Sequence, residues 1–179
     1  MDSIPSALAG LSPADRDLIE AAHDAALNAY APYSHFAVGA AARTRAGNIY
    51  TGANLENAAY GVGMCAEVGA VTAANAAGDF EIEALAVTGW KFWPEKQDRT
   101  VVTPCGRCRQ IICEAAQIAG TDIRVLCCNG DLSEVMVKPI SELLPHAFGP
   151  ANLGITESWP ESRAALRSQG RAPPRKSRI

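Results

Sequence analysis

The 179-residue chain holds six cysteines, and three of them fall in two short segments whose residue types could do chemistry together. Cys65-Ala66-Glu67 opens one small-residue helical stretch, and Pro104-Cys105-Gly106-Arg107-Cys108 opens another. Two thiolates of a C-x-x-C at a helix start can grip one zinc ion. A third cysteine opening a neighbouring helix completes a three-ligand site with the fourth position left for water. An open position suits catalysis, because zinc brings the pKa of a bound water down to about 7. Hydrolysis also needs a group that moves protons, and Glu67, two residues past Cys65, is placed to do so without ligating the metal. Three thiolates on a divalent ion leave a surplus negative charge. Predicted helix N-termini offset part of it, by about 0.3–1 kcal/mol each, and Arg107 and Arg109 are further candidates for offsetting the rest. A closed structural site would need a fourth protein ligand. The nearest candidate, Cys113, lies more than a turn further along its helix and reads as a small buried apolar residue. Cys127 and Cys128 read as a core thiol and a surface thiol.

The two helix starts have to be held side by side, and the rest of the chain supplies the frame. Ser12 as N-cap, Pro13 at the first helical position and Leu18, Ala21, Ala22, Ala25 and Ala26 at helical spacing predict a helix over 13–30, stopped by Pro32. A strand over 35–43, a glycine-bearing turn at 45–48 and a strand over 49–52 predict a hairpin. A loop at 53–63 leads to the Cys65 helix, which ends at Gly78. A strand over 82–88, a loop over 89–103, a helix over 105–119, a strand over 123–127 and a short strand at 135–137 complete the order. Strands joined through helices predict right-handed crossovers with helices on both faces of the sheet. The fold class is therefore α/β, a three-layer α/β/α sandwich around a mixed, mostly five-stranded sheet.

Composition sets the wider limits. With 48% apolar and 20% charged residues, the chain suits one compact domain with a core of its own. No run nears the ~20 apolar residues of a membrane span, and the start MDSIPSALAG lacks the basic and apolar regions of a secretory signal, so a cytoplasmic protein with no membrane partner is expected. Residues 1–160 carry 10 Lys and Arg against 18 Asp and Glu, a net charge of −8, whereas 161–179 carry 6 against 1, a net +5. An acidic body argues against nucleic-acid partners, whose binding depends on surplus cations, and favours a small neutral substrate. From Thr156 onward Ser, Arg, Gly and Pro accumulate. The chain accordingly divides into a catalytic domain over 1–155 and a basic, flexible extension over 156–179, with at most a turn of helix near 161–168.

Taken together these residues resemble the zinc-dependent cytidine deaminase family over roughly 14–155, which carries C-A-E and P-C-x-x-C in this order. The likeness includes Tyr33-Ser34-His35-Phe36-Ala37-Val38-Gly39-Ala40-Ala41, Asn54-Leu55-Glu56-Asn57-Ala58-Ala59-Tyr60-Gly61, TPCGRCRQ at 103–110 and Leu143-Leu144-Pro145-His146-Ala147-Phe148-Gly149-Pro150. The resemblance implies zinc on Cys65, Cys105 and Cys108, with Glu67 as the proton-transfer residue. It also implies that Phe36 flanks the base, that Asn54 and Glu56 bond the ribose hydroxyl, that the Ala66 backbone contacts the pyrimidine, and that Phe148 reaches into a neighbouring subunit's pocket. The implied activity is hydrolytic deamination of free cytidine or deoxycytidine with release of ammonia, in pyrimidine salvage, by a homotetramer or else a dimer. Cysteine as first ligand resembles the free-nucleoside branch, since polynucleotide and nucleotide deaminases usually present histidine. One departure is Val68, where the family often has arginine. Blasticidin S deaminase similarly lacks that arginine, so a modified cytosine nucleoside or a blasticidin-like antibiotic is the alternative substrate. A non-catalytic zinc-binding module is a third reading, opposed by the presence of Glu67. Plainer roles remain open: Glu67 as an ordinary first-turn acid, Phe36 and Phe148 as core, Asn54 and Glu56 as caps. His35 and Arg107 receive no role from the resemblance.

Overall fold

Along the central strands, alternate residues belong to two different cores. In β1 (Phe36–Thr44), Ala40 and Ala42 join one cluster and Ala41 the other. In the next strands, β2 (Ile49–Ala53) and β3 (Ile82–Lys91), the same alternation puts Leu85 and Val87 of β3 against Ala84 and Ala86. Val125 and Cys127 oppose Leu126 and Cys128 in β4 (Arg124–Cys128). Period-two burial on both faces means that a sheet is covered twice. The computed structural model, which describes residues 6–93 and 100–169, shows this: a five-stranded sheet in the order β2-β1-β3-β4-β5, where β5 spans Val135–Pro139. β3 and β4 are parallel and the other neighbours antiparallel. Helix α1 (Pro13–Ala26) packs on one face through Leu18, Ile19 and Ala22. Helices α2 (Ala66–Ala76) and α3 (Gly106–Ala119) cover the other through Ala66, Ala70, Ala74, Ile112 and Ala115. The three-layer sandwich expected from the element order is the fold observed.

Small residues bring these layers unusually close. A Cβ at Gly52 on β2 would overlap the Ala66 carbonyl oxygen and the Ala70 nitrogen, so any side chain there would push away the helix whose start carries Cys65. On the opposite face the first turn of α1 is tied down by charge. Asp15, 3% exposed, binds Arg43 of β1 at 3.0 Å and Arg124 of β4 at 2.9 Å. Burial opposes ionisation of this carboxyl, but hydrogen bonds from Arg124, Arg43 and Ser12 outweigh it and hold the pKa below the usual carboxylate value.

Several element limits differ from the sequence expectation, each because a partner strand or loop decides them. Helix α1 stops at Ala26 rather than near 30, since Tyr30 leaves the helix to exchange backbone hydrogen bonds with Asn54 and Glu56 at 3.0 and 2.8 Å. Strand β3 continues to Lys91 rather than 88, because Phe36, Ala37 and Val38 pair with Lys91, Trp90 and Gly89. Cys128 is fully buried in β4 and is not a surface thiol. A short helix, α4 (Ile140–Leu143), follows β5, with Asp122 accepting the Ser141 N–H at 3.2 Å. The largest correction is α5, a helix over Ile155–Gln169 where at most one turn was expected. Arg163 and Arg167 donate to the Gly78 carbonyl at 2.6 and 3.2 Å, docking α5 on the C-terminal end of α2, a partner that local composition cannot reveal. Residues 170–179 of the expected extension lie outside the described residues. No helix among the described residues is long and apolar enough to cross a membrane.

Candidate active site and metal centre

Helices α2 and α3 start beside one another, and a cysteine stands at the N-cap of each: Cys65 and Cys105. Cys108 follows in the first turn of α3, so two backbone turns deliver three sulfurs to one place. The Cys105 and Cys108 Sγ atoms are 3.5 Å apart, those of Cys65 and Cys105 4.0 Å, and all three lie within 4.8 Å of one another. Thiolates at about 2.3 Å from a common tetrahedral zinc stand roughly 3.8 Å apart, so these spacings fit that ion. Among the described residues no other three metal-binding side chains converge in this way. Protonation follows position. Burial pushes the Cys65 and Cys108 thiols up. Burial also opposes ionisation of Cys105, but the Cys108 backbone and side chain, the Cys65 thiol and the Arg107 N–H outweigh it, and that thiol is lowered. A thiol lowered at a helix start, beside two others, is part of a soft three-sulfur donor set suited to zinc, which would deprotonate its ligands on binding.

Glu67 lies in the first turn of α2, 5% exposed, with its carboxyl against Cys108. Burial pushes this carboxyl above its usual range. Among the described residues it forms no ion pair. Glu67, Ala66, Cys65 and Cys105 line one cavity of about 670 Å³, whose other walls include Asn54, Glu56, Tyr33, Tyr60, Met64 and Arg107.

The model for the cytidine and deoxycytidylate deaminase zinc-binding region matches residues 12–121, which run from the start of α1 through both cysteine-bearing helix starts. The chain belongs to the cytidine deaminase family. A cytidine deaminase of Halalkalibacterium halodurans is 41% identical over 133 residues, covering 73% of this chain and 91% of the relative. One from Mycobacterium tuberculosis is 39% identical over 130 residues, covering 72% and 84%. Among solved structures, cytidine deaminase from Burkholderia pseudomallei superposes with a TM-score of 0.65 at 40% identity, over 77% of this chain and all of that one. The Mycobacterium tuberculosis enzyme gives 0.60 at 36% identity, over 75% and 96%. Zinc is the metal of this family's shared region, and Cys65, Cys105 and Cys108 are positioned to hold it.

The structure gathers most of the residues that the family pattern singles out. Asn54 and Glu56 line the cavity and also act as local ties. Asn54 Oδ1 accepts the Val38 N–H at 2.8 Å and its Nδ2 donates to the Phe36 carbonyl at 2.9 Å, leaving one amide hydrogen over. Glu56 Oε2 accepts the N–H groups of Tyr33 and Ser34 at 2.9 and 3.2 Å. The Ser34 hydroxyl, then those two N–H groups, hold the Glu56 carboxyl below its usual value against the opposing effect of burial. Two members stand elsewhere. Phe36 lines a separate cleft with Gly89, Trp90 and Val102, while Val38 takes the place in the cavity wall. Phe148 is 63% exposed and lines no part of its own chain's cavity.

Other wall residues lie in the matched stretches but received no role from the resemblance. Tyr60, 81% exposed, meets Tyr33 edge-on at 6.1 Å between ring centroids. Arg107 donates to the Gly63 carbonyl at 3.2 Å and to Met64 Sδ at 3.7 Å, tying the start of α3 to the segment that leads into Cys65. Its position between two ligands of a C-x-x-C was the available signal, because an ordered side chain there cannot be far from the metal. Arg109 does not offset thiolate charge by direct contact. Its guanidinium is taken up by the Pro104 and Leu143 carbonyls and the Thr103 hydroxyl at 2.7, 3.0 and 3.4 Å.

Proposed function

We propose that the protein hydrolytically deaminates free cytidine and deoxycytidine to uridine and deoxyuridine, releasing ammonia, as a step of pyrimidine salvage in the cytoplasm. The observation that carries this reading is the meeting of three thiols and one buried carboxyl without a cationic partner, at the wall of a cavity sized for a nucleoside. The relatives that match most of this chain are named cytidine deaminases, which supports the same substrate class.

Cys65, Cys105 and Cys108 would hold the zinc. When bound, zinc supplies the Lewis acidity that brings a water's pKa near 7. Glu67 takes one proton from the attacking water and passes it to the pyrimidine ring nitrogen, then takes the second proton of the same oxygen and passes it to the departing amine, so that water and cytidine leave as ammonia and uridine. Its burial excludes bulk water from that exchange. The Ala66 backbone, at the open start of α2, contacts the pyrimidine. Asn54, through its remaining amide hydrogen, and Glu56 bond the ribose hydroxyl. Phe36 flanks the base from the adjoining cleft, with which the cavity shares Val102. Phe148 enters the pocket of a second copy, in a homotetramer or a dimer. The catalytic unit spans 1–155, and 156–179 extends it.

The purified protein should carry about one zinc per chain. It should convert cytidine and deoxycytidine in a panel that also holds modified cytosine nucleosides, followed by ultraviolet absorbance and ammonia release. Absence of zinc, or of ammonia from both nucleosides, overturns the reading. A fully active monomer in light scattering overturns the shared pocket.

A further inference from the structure

Phe148 is an apolar side chain left 63% exposed on a backbone that is held from several sides. Gln110 Nε2 donates to the Phe148 carbonyl at 2.9 Å. One residue on, a Cβ at Gly149 would stand 2.5 Å from Gln117 Oε1, and that same oxygen accepts the Ala151 N–H at 3.0 Å. Upstream, Arg109 Nη1 donates to the Leu143 carbonyl at 3.0 Å, and Leu143, Leu144 and Ala147 pack on the core. All three gripping side chains sit on α3, whose start carries Cys105 and Cys108. A loose loop could fold its phenyl ring inward and gain apolar burial, whereas an anchored backbone fixes the ring's direction and lowers the entropy lost when a partner receives it.

We infer that Gln110 is a positioning residue for Phe148: from the metal-bearing helix of one chain it fixes the aromatic that completes the pocket of the next. The inference rests on the reading above that Phe148 enters a neighbouring pocket. Gln110 is exposed and its side chain makes no other hydrogen bond among the described residues, so replacing it leaves core and metal ligands in place. A glutamate at this position cannot donate to the carbonyl and sets like partial charges face to face. A lysine can still donate.

Three variants decide the matter, each assembled with zinc: Gln110→Glu, Gln110→Lys and, as benchmark, Phe148→Ala. KM, kcat and zinc content are read for each. We expect Phe148→Ala and Gln110→Glu both to raise KM about tenfold with kcat within about twofold, and Gln110→Lys to stay near the parent. Zinc content should be unchanged in all three. Co-assembly with excess Glu67→Gln chains, inactive themselves but presenting a well-held Phe148, should restore the parental KM to the Gln110→Glu sites. An unchanged KM in Gln110→Glu beside a raised KM in Phe148→Ala overturns the inference and leaves the shared pocket standing. An unchanged KM in Phe148→Ala overturns the shared pocket itself. Loss of zinc in Gln110→Glu, or no recovery on co-assembly, places the effect within its own subunit and overturns the inference.

Discussion

The first turns of α1 and α2 each bury an acid, and the two acids are driven in opposite directions. Asp15 meets two guanidinium groups and stays ionised well below the usual carboxylate range. Glu67 meets sulfur and backbone but no cation, and burial raises it. Residue class, low solvent exposure and helix position are nearly shared, so the difference lies in the partners and in the deeper burial of Glu67. One carboxylate fastens two strands to a helix, and the other is left able to take and release a proton. The sheet separates them. Its α1 face is closed by charge pairing, and its α2–α3 face carries the same kind of residue unpaired, as the proposed proton carrier.

Replacing each acid by its amide tests this contrast. Glu67→Gln, nearly unchanged in shape, should keep zinc by elemental analysis while turnover falls ~100–10,000-fold, the usual worth of positioned proton transfer. Near-normal turnover would erase the distinction between the two acids. Asp15→Asn should do the reverse. It leaves Arg43, whose side chain is 15% exposed, without its charge partner, and should lower stability by about 2–4 kcal/mol in urea unfolding, toward the lower end because Arg124 is half exposed. Turnover per folded molecule should not change. The smallest expected effect is in acid. Because the folded-state pKa of Asp15 is lowered, its contribution is complete above the unfolded value of 3.8 and is lost as pH falls below that value toward the folded one. The melting temperature of the parent should therefore drop more steeply below about pH 4 than that of Asp15→Asn, and parallel curves would show that the pairing contributes little.

Much of the centre was legible because zinc chemistry needs few residues at fixed spacing. Cys65, Glu67, Cys105 and Cys108 lie at helix starts that alanine periodicity and Pro104 already mark, and the order of helices and strands was enough to give the three layers and the first hairpin. What escaped depends on residues distant in the chain. The end of β3 is decided by Phe36 opposite Lys91. The place of Phe36 is decided by where the cavity stops along β1, with Val38 inside its wall and Phe36 just beyond. Helix α5 is decided by a carbonyl on Gly78 that two of its arginines reach. Arginine and serine read locally as a solvated tail, and only the docked partner turns them into a helix. Arg107 was visible as a residue and invisible as a contact, since its acceptors on Gly63 and Met64 lie more than forty positions away.

Cys65 and Cys105 stand 4.0 Å apart in space and 40 positions apart in sequence. An ion held by both would close that loop as a cross-link does, which on the chain-entropy account stabilises the fold by about 4 kcal/mol. The loop contains α2 and the central strand β3, so the seam passes through the middle of the sheet rather than along its margin. The metal of this site is thus a fastener as well as a reagent. A chelator that stops the reaction should also loosen β3, and amide exchange along that strand should quicken before α1 on the far face responds.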